Sequence, residues 1–164
     1  GAFVEKIYVD ATDELPKVNE LLAFAKEIGS IPAYAYLGDV ENSVTGDKKK
    51  MKFEDEYLDE LVVYVKQIGF ESITYMPSRN SDRQLDRLRN LCDVHGLFQI
   101  SGEDINSPRQ AFTCQALLKP ENAMLITSTW AMIGHEKEAT KQLDQGMFSD
   151  ITIAKLPLLN LADQ

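Results

Sequence analysis

The residues best suited to chemistry lie together in Gly102-Glu103-Asp104-Ile105-Asn106, directly after the apolar run Leu97-Phe98-Gln99-Ile100. Two carboxylates and an amide in one loop supply hard oxygen donors of the kind that ligate Mg, Mn or Zn when other groups complete the shell. The same residues also suit a plain turn, in which Asp104 or Asn106 bonds the loop backbone and Ser107-Pro108 begins the next bend. Further along, Arg109 is able to bind an anion or to sit on the surface.

Two other apolar runs end in polar residues. Phe70–Met76 is followed by Pro77-Ser78-Arg79-Asn80, and Ile31–Tyr36 by Leu37-Gly38-Asp39. Arg79 is suited to clamp a phosphate or carboxylate through two parallel N–H bonds, or else pairs with Asp82 on the surface. Tyr36 can donate a hydrogen bond to a ligand, whereas Tyr34 is expected in the core. The stretch Glu41–Lys52, with Gly46 and three consecutive lysines, reads as a lid or as a solvated loop. His95, at a helix end, and His135, beside Glu136, are expected in structural roles. No G-x-S-x-G, H-E-x-x-H, P-loop or G-x-G-x-x-G pattern occurs, so the strong motif-based assignments do not apply.

The elements that must position these residues follow from periodicity. Phe3–Val9, Ile31–Tyr36, Phe70–Met76 and Leu97–Ser101 read as strands. Thr12 or Asp13 starts a helix whose face is Leu21, Leu22, Phe24, Ala25 and Ile28, stopped at Gly29. A second helix, Phe53–Gln67, carries Tyr57, Leu58, Leu61, Val62 and Val65 as its stripe, with acids crowding its first turn. A third starts at Ser81 or Asp82 and carries Leu85, Leu88, Leu91 and Val94. Glu121–Leu143 is expected to form one long helix or two short ones broken near Gly134. The tail from Met147 reads as an edge strand or an extended strap. Alternating strand and helix with glycine stops gives βα units, hence parallel strands with right-handed crossovers. At three to four units, the chain is a small open sheet or one piece of a larger barrel.

Its 164 residues fit one domain, with 44% hydrophobic and 26% charged residues. A formal charge of −9 opposes nucleic-acid partners and is compatible with cations. No apolar run is long enough to span a bilayer, and Cys92 and Cys114 lack metal-ligand spacing. A cytoplasmic protein with reduced thiols is therefore expected.

Taken in order, "GSIPAYAYLGD", "GFESITYMPSRN" and "GLFQISGEDINSP" resemble the C-terminal half of the polymerase-and-histidinol-phosphatase (PHP) superfamily over roughly Leu21 to Gly146. The resemblance implies part of a distorted (β/α) barrel that gathers divalent metals (Mn, Zn, Mg or Fe) at strand C-termini and hydrolyses phosphoesters. It places Tyr36 where a family strand of the type I-P-x-x-A-H-P carries a metal-binding His. It aligns Gly102–Asn106 with a G-[ST]-D-x-H motif, keeping Asp104 and replacing the His by Asn106. It implies Asp104, Asn106 and Glu103 at the metal, and Arg79, Asn80, Tyr36 and Arg109 around a phosphorylated small molecule. Tyrosine and asparagine are weaker ligands than imidazole, and the family's upstream H-x-H and later Glu and His have no counterpart here. Residues 1–164 then read as one domain, the C-terminal fragment of a larger protein, with little hydrolysis of its own. Two rival readings are a degenerate ligand- or partner-binding module without catalysis and an unrelated open α/β domain. Half a barrel would expose sheet edges and apolar surface, so a homo-oligomer is expected.

Overall fold

The computed structural model describes residues 15–40, 51–105 and 107–155. Three strands, β1 (Ala33–Ala35), β2 (Ser72–Tyr75) and β3 (Phe98–Ser101), form a parallel sheet in the order β1-β2-β3. Register is continuous across it: Tyr34 faces Ile73, and Ile73 faces Gln99. Three of the four predicted strands are present and shorter than expected, and their side-by-side parallel order follows from the two βα crossovers. This shows a mixed α/β architecture. The predicted strand Phe3–Val9 lies outside the described residues, and the first described helix starts at Val18 with extended Lys17 as its N-cap, later than the start expected from Thr12 or Asp13.

Helix α1 (Val18–Glu27) precedes β1, α2 (Leu58–Ile68) connects β1 to β2, and α3 (Asp82–His95) connects β2 to β3. Ser81 caps α3 through a reciprocal capping box with Gln84, satisfying two backbone donors at once. Leu58, Val62 and Val65 from α2 and Leu85, Leu88 and Cys92 from α3 are buried with Ile73 and Tyr75 of β2. Most of this core is gathered in one cluster with Tyr36, Leu97 and Leu125.

Several details depart from the periodic reading. Tyr57 lies in a 3-10 turn, Asp55–Tyr57, ahead of α2 and is half exposed. The turn rotates it off the stripe that Leu58 begins. Val94 is exposed, and Cys92 occupies the inner face of α3 instead. Helix α4 (Ala123–Lys141) runs unbroken through Gly134, because a glycine costs a helix interior only about 1 kcal/mol. Past α4 the described residues form neither an edge strand nor an extended strap: residues 150–155 are helical. Helix α1 buries none of its residues, leaving Leu21 and Phe24 more than half exposed. Among the described residues no helix is long and apolar enough to cross a membrane. Cys92 and Cys114 are both unpaired thiols.

Candidate functional site

Parallel strands bring their C-terminal ends to one rim. Tyr36 follows β1, Ser78, Arg79 and Asn80 follow β2, and Glu103 and Asp104 follow β3. The rim is built from the backbone outward. The N–H of Tyr36 donates to Thr74 O at 2.9 Å, and that of Gly102 to Tyr75 O at 2.7 Å, so ladder bonding continues past the strand ends.

Its centre is a hydrogen-bond network that clamps the turn after β1. Glu54, buried, accepts from the backbone N–H of Gly38 at 3.0 Å and of Leu37 at 3.3 Å, and from the Tyr34 hydroxyl at 3.3 Å. Asp55 accepts from the Tyr36 hydroxyl, from the Asp39 N–H at 3.2 Å and from Gln84 Nε2 at 2.7 Å. Asp39 in turn accepts the Phe53 N–H at 2.6 Å. Asn80 donates to Leu37 O at 2.8 Å and accepts the Met76 N–H at 3.2 Å, tying the ends of β1 and β2 together. The turn reaches this position because Gly38 has φ +72°. A Cβ there would stand 2.7 Å from Asn80 Nδ2, 2.8 Å from the Tyr36 hydroxyl and 2.9 Å from Gln84 Nε2.

Charge is distributed accordingly. Burial opposes ionisation of Asp55, but its bonds from Tyr36, Gln84 and the Asp39 backbone, with the charge of Arg87, hold its carboxyl below the usual range. Burial, reinforced by Asp55, pushes the Tyr36 phenol far above its ordinary value. Burial and the charge of Glu54 push Tyr34 up to about 12. Both phenols are therefore neutral donors to carboxylates. Tyr34 thus has a polar role beside its packing against Phe70.

The outer part of the rim is more open. The Ser78 hydroxyl lies 2.7 and 2.8 Å from the two Glu103 carboxylate oxygens. Burial and Glu103 raise the Cys114 thiol above its ordinary value, so it is a neutral thiol beside a carboxylate and not an activated nucleophile. The Arg79 guanidinium carbon lies over the Phe53 ring, 5.5 Å from its centroid, while Asp82 pairs with Lys119 at 3.5 Å. The surface pair Arg79–Asp82 is therefore not formed. Asp104 is exposed, and its carbonyl accepts Gln110 Nε2 at 2.8 Å. Arg109 is exposed beyond Ser107, whose hydroxyl accepts the Arg109 N–H at 3.3 Å.

Of the residues singled out from sequence, Tyr36 and Asn80 meet around Gly38, and Glu103 meets Ser78. Asn106 and the candidate lid residues 41–50 lie outside the described residues. Among the described residues no three of His, Cys, Asp and Glu come together in a way that could hold a metal ion. Glu103 is engaged by the Ser78 hydroxyl. Glu54, Asp55 and Gln84 were missed from sequence, and Asp39 was read only as a polar residue after the strand. The acids opening α2 read as partners of the helix dipole, and nothing local marks them as reaching back to the turn after β1. No protein family, curated protein or solved structure matches the chain.

Proposed function

We propose that this chain is a degenerate, non-catalytic binding module of the phosphoesterase type it resembles, with the strand-end rim as its recognition surface for a phosphorylated small molecule. One observation carries the reading. At the position where the resemblance implies a metal-binding imidazole, the buried Tyr36 phenol donates to Asp55, and the neighbouring Glu54 is occupied by two backbone N–H groups. A carboxylate satisfied by backbone and phenol donors holds the rim in shape, and removing it to bind a metal would leave buried donors without acceptors.

Arg79 is the group we assign to the ligand. Its guanidinium carbon lies over the Phe53 ring beside the rim, and a guanidinium is suited to a bidentate contact with a phosphate. Ser78 and Asn80 flank it. The Glu54 and Asp55 charges are screened from such an anion by the donors around them. The test is titration of the chain with inorganic phosphate and a simple phosphomonoester, followed by calorimetry or chemical-shift changes. Saturable binding that weakens at least 10-fold in Arg79→Ala supports the reading. Equal binding by Arg79→Ala, or none by the parent chain, overturns it.

A further inference from the structure

His135 is gripped from both sides. Its Nε2 lies 2.8 Å from the carbonyl of Gly29, at the turn between α1 and β1, and its Nδ1 receives the N–H of Met147 at 2.9 Å. Both neighbours have fixed polarity, since a carbonyl only accepts and an amide N–H only donates. In this contact Nε2 therefore serves as the donor and Nδ1 as the acceptor. Gly146 allows the approach: a Cβ there would stand 3.0 Å from Cε1 and 3.2 Å from Nδ1 of the ring. The next residue after Met147, Phe148, packs edge-on against Phe98 of β3 with centroids 6.0 Å apart. Ser149 then anchors the following turn, its hydroxyl donating to Asp144 O at 2.6 Å and accepting the Thr152 N–H at 3.2 Å. One imidazole thus joins the turn before β1, helix α4 and the segment that covers Phe98.

We propose that His135 is a proton-operated latch that holds Met147 and, through it, Phe148 against Phe98 of β3, and releases them in mildly acidic solution. A second ring proton turns Nδ1 into a donor facing the Met147 donor, so attraction becomes repulsion and the Met147 N–H loses its acceptor. The Nε2 bond to Gly29 survives, so the side that opens is the one carrying Phe148. Imidazole is the side chain that ordinarily changes charge between pH 5 and 8. The Gly29 and Met147 segments meet the ring with backbone groups. Around the adjoining cleft, of about 550 Å³, the charged side chains are Glu136 and Lys141 on the ring's own helix. Lys141 is paired with Glu138 at 2.7 Å, which blunts its opposition to a second positive charge. On the connecting turn the charged group is Asp144, whose carboxylate accepts Gln145 Nε2 at 3.3 Å. Acidification frees Phe148 and uncovers Phe98.

Amide hydrogen exchange of the whole chain between pH 8 and pH 5, corrected for intrinsic rates, tests the latch. The Met147 amide is expected to lose at least 10-fold in protection while the β2 amides hold theirs, and His135→Gln, which cannot titrate, is expected to abolish that step. Unchanged Met147 protection, or the same step in His135→Gln, overturns the proposal. If His135→Gln does not fold, the parent chain decides: the Met147 amide shift must follow the His135 ring resonance through one common midpoint. Independence of the two overturns the latch.

Discussion

The Tyr36 hydroxyl at the end of β1 donates to the Asp55 carboxylate at the start of the turn leading into α2, joining two segments nineteen residues apart. This bond, with the grip of Glu54 on the Leu37 and Gly38 amides, shapes the rim. Tyr36→Phe removes a donor from a half-buried carboxylate while keeping the ring. It is expected to cost about 1–3 kcal/mol in urea unfolding, the scale of a hydrogen bond to a charged group. No measurable change would show that the bond does not shape the rim.

The same network fixes the direction of the pH response. Asp55 is held below its usual value, so its contribution is present above about pH 4, the ordinary aspartate range, and is lost as pH falls through its folded value. Tyr34 and Tyr36 are raised, so their contribution is complete below about pH 10 and is lost as pH climbs; for Tyr34 that loss runs toward about 12. Circular dichroism melts across pH 2–12 should therefore fall off at both ends, and Tyr36→Phe should weaken both limbs. An alkaline limb that is identical in Tyr36→Phe would contradict the assignment to Tyr36.

Gly38 should tolerate no side chain. Its left-handed backbone and the three polar atoms within 3 Å of a Cβ combine strain with collision. Gly38→Ala is expected to destabilise by at least about 1–3 kcal/mol and to disturb the Asn80 and Gln84 side-chain amide resonances. A neutral substitution with unshifted resonances would contradict the close approach.

Self-association is a further expectation. Among the described residues β1 pairs with β2 alone, leaving its other edge without a strand, and α1 presents Leu21, Phe24 and Ile28 about half exposed. Light scattering of the chain should give a mass above one copy that falls in Leu21→Glu/Phe24→Glu. A monomer at every concentration would contradict this.

Much of the scaffold was legible because its signals are local. Leu58, Val62 and Val65 repeat at helical spacing, Ser81 stands as a cap candidate ahead of α3, and Gly69 and Gly96 stop their helices. Parallel order followed from the βα alternation, which also placed Tyr36, Arg79 and Asp104 at one end of the sheet. The partners within the rim were not legible. Glu54 and Asp55 look like ordinary first-turn acids, and their bonds to Gly38 and Tyr36 arise only once α2 folds back on β1. The exposure of Val94 and the bare apolar face of α1 likewise depend on neighbours that spacing cannot name.

The most direct test of the central claim is hydrolysis of p-nitrophenyl phosphate by the chain with Mn, Zn or Mg added in turn. A rim whose inner carboxylates are occupied by Tyr36 and the turn backbone predicts no release of nitrophenol above buffer with any ion. Metal-dependent turnover that disappears in Asp104→Asn would contradict the account.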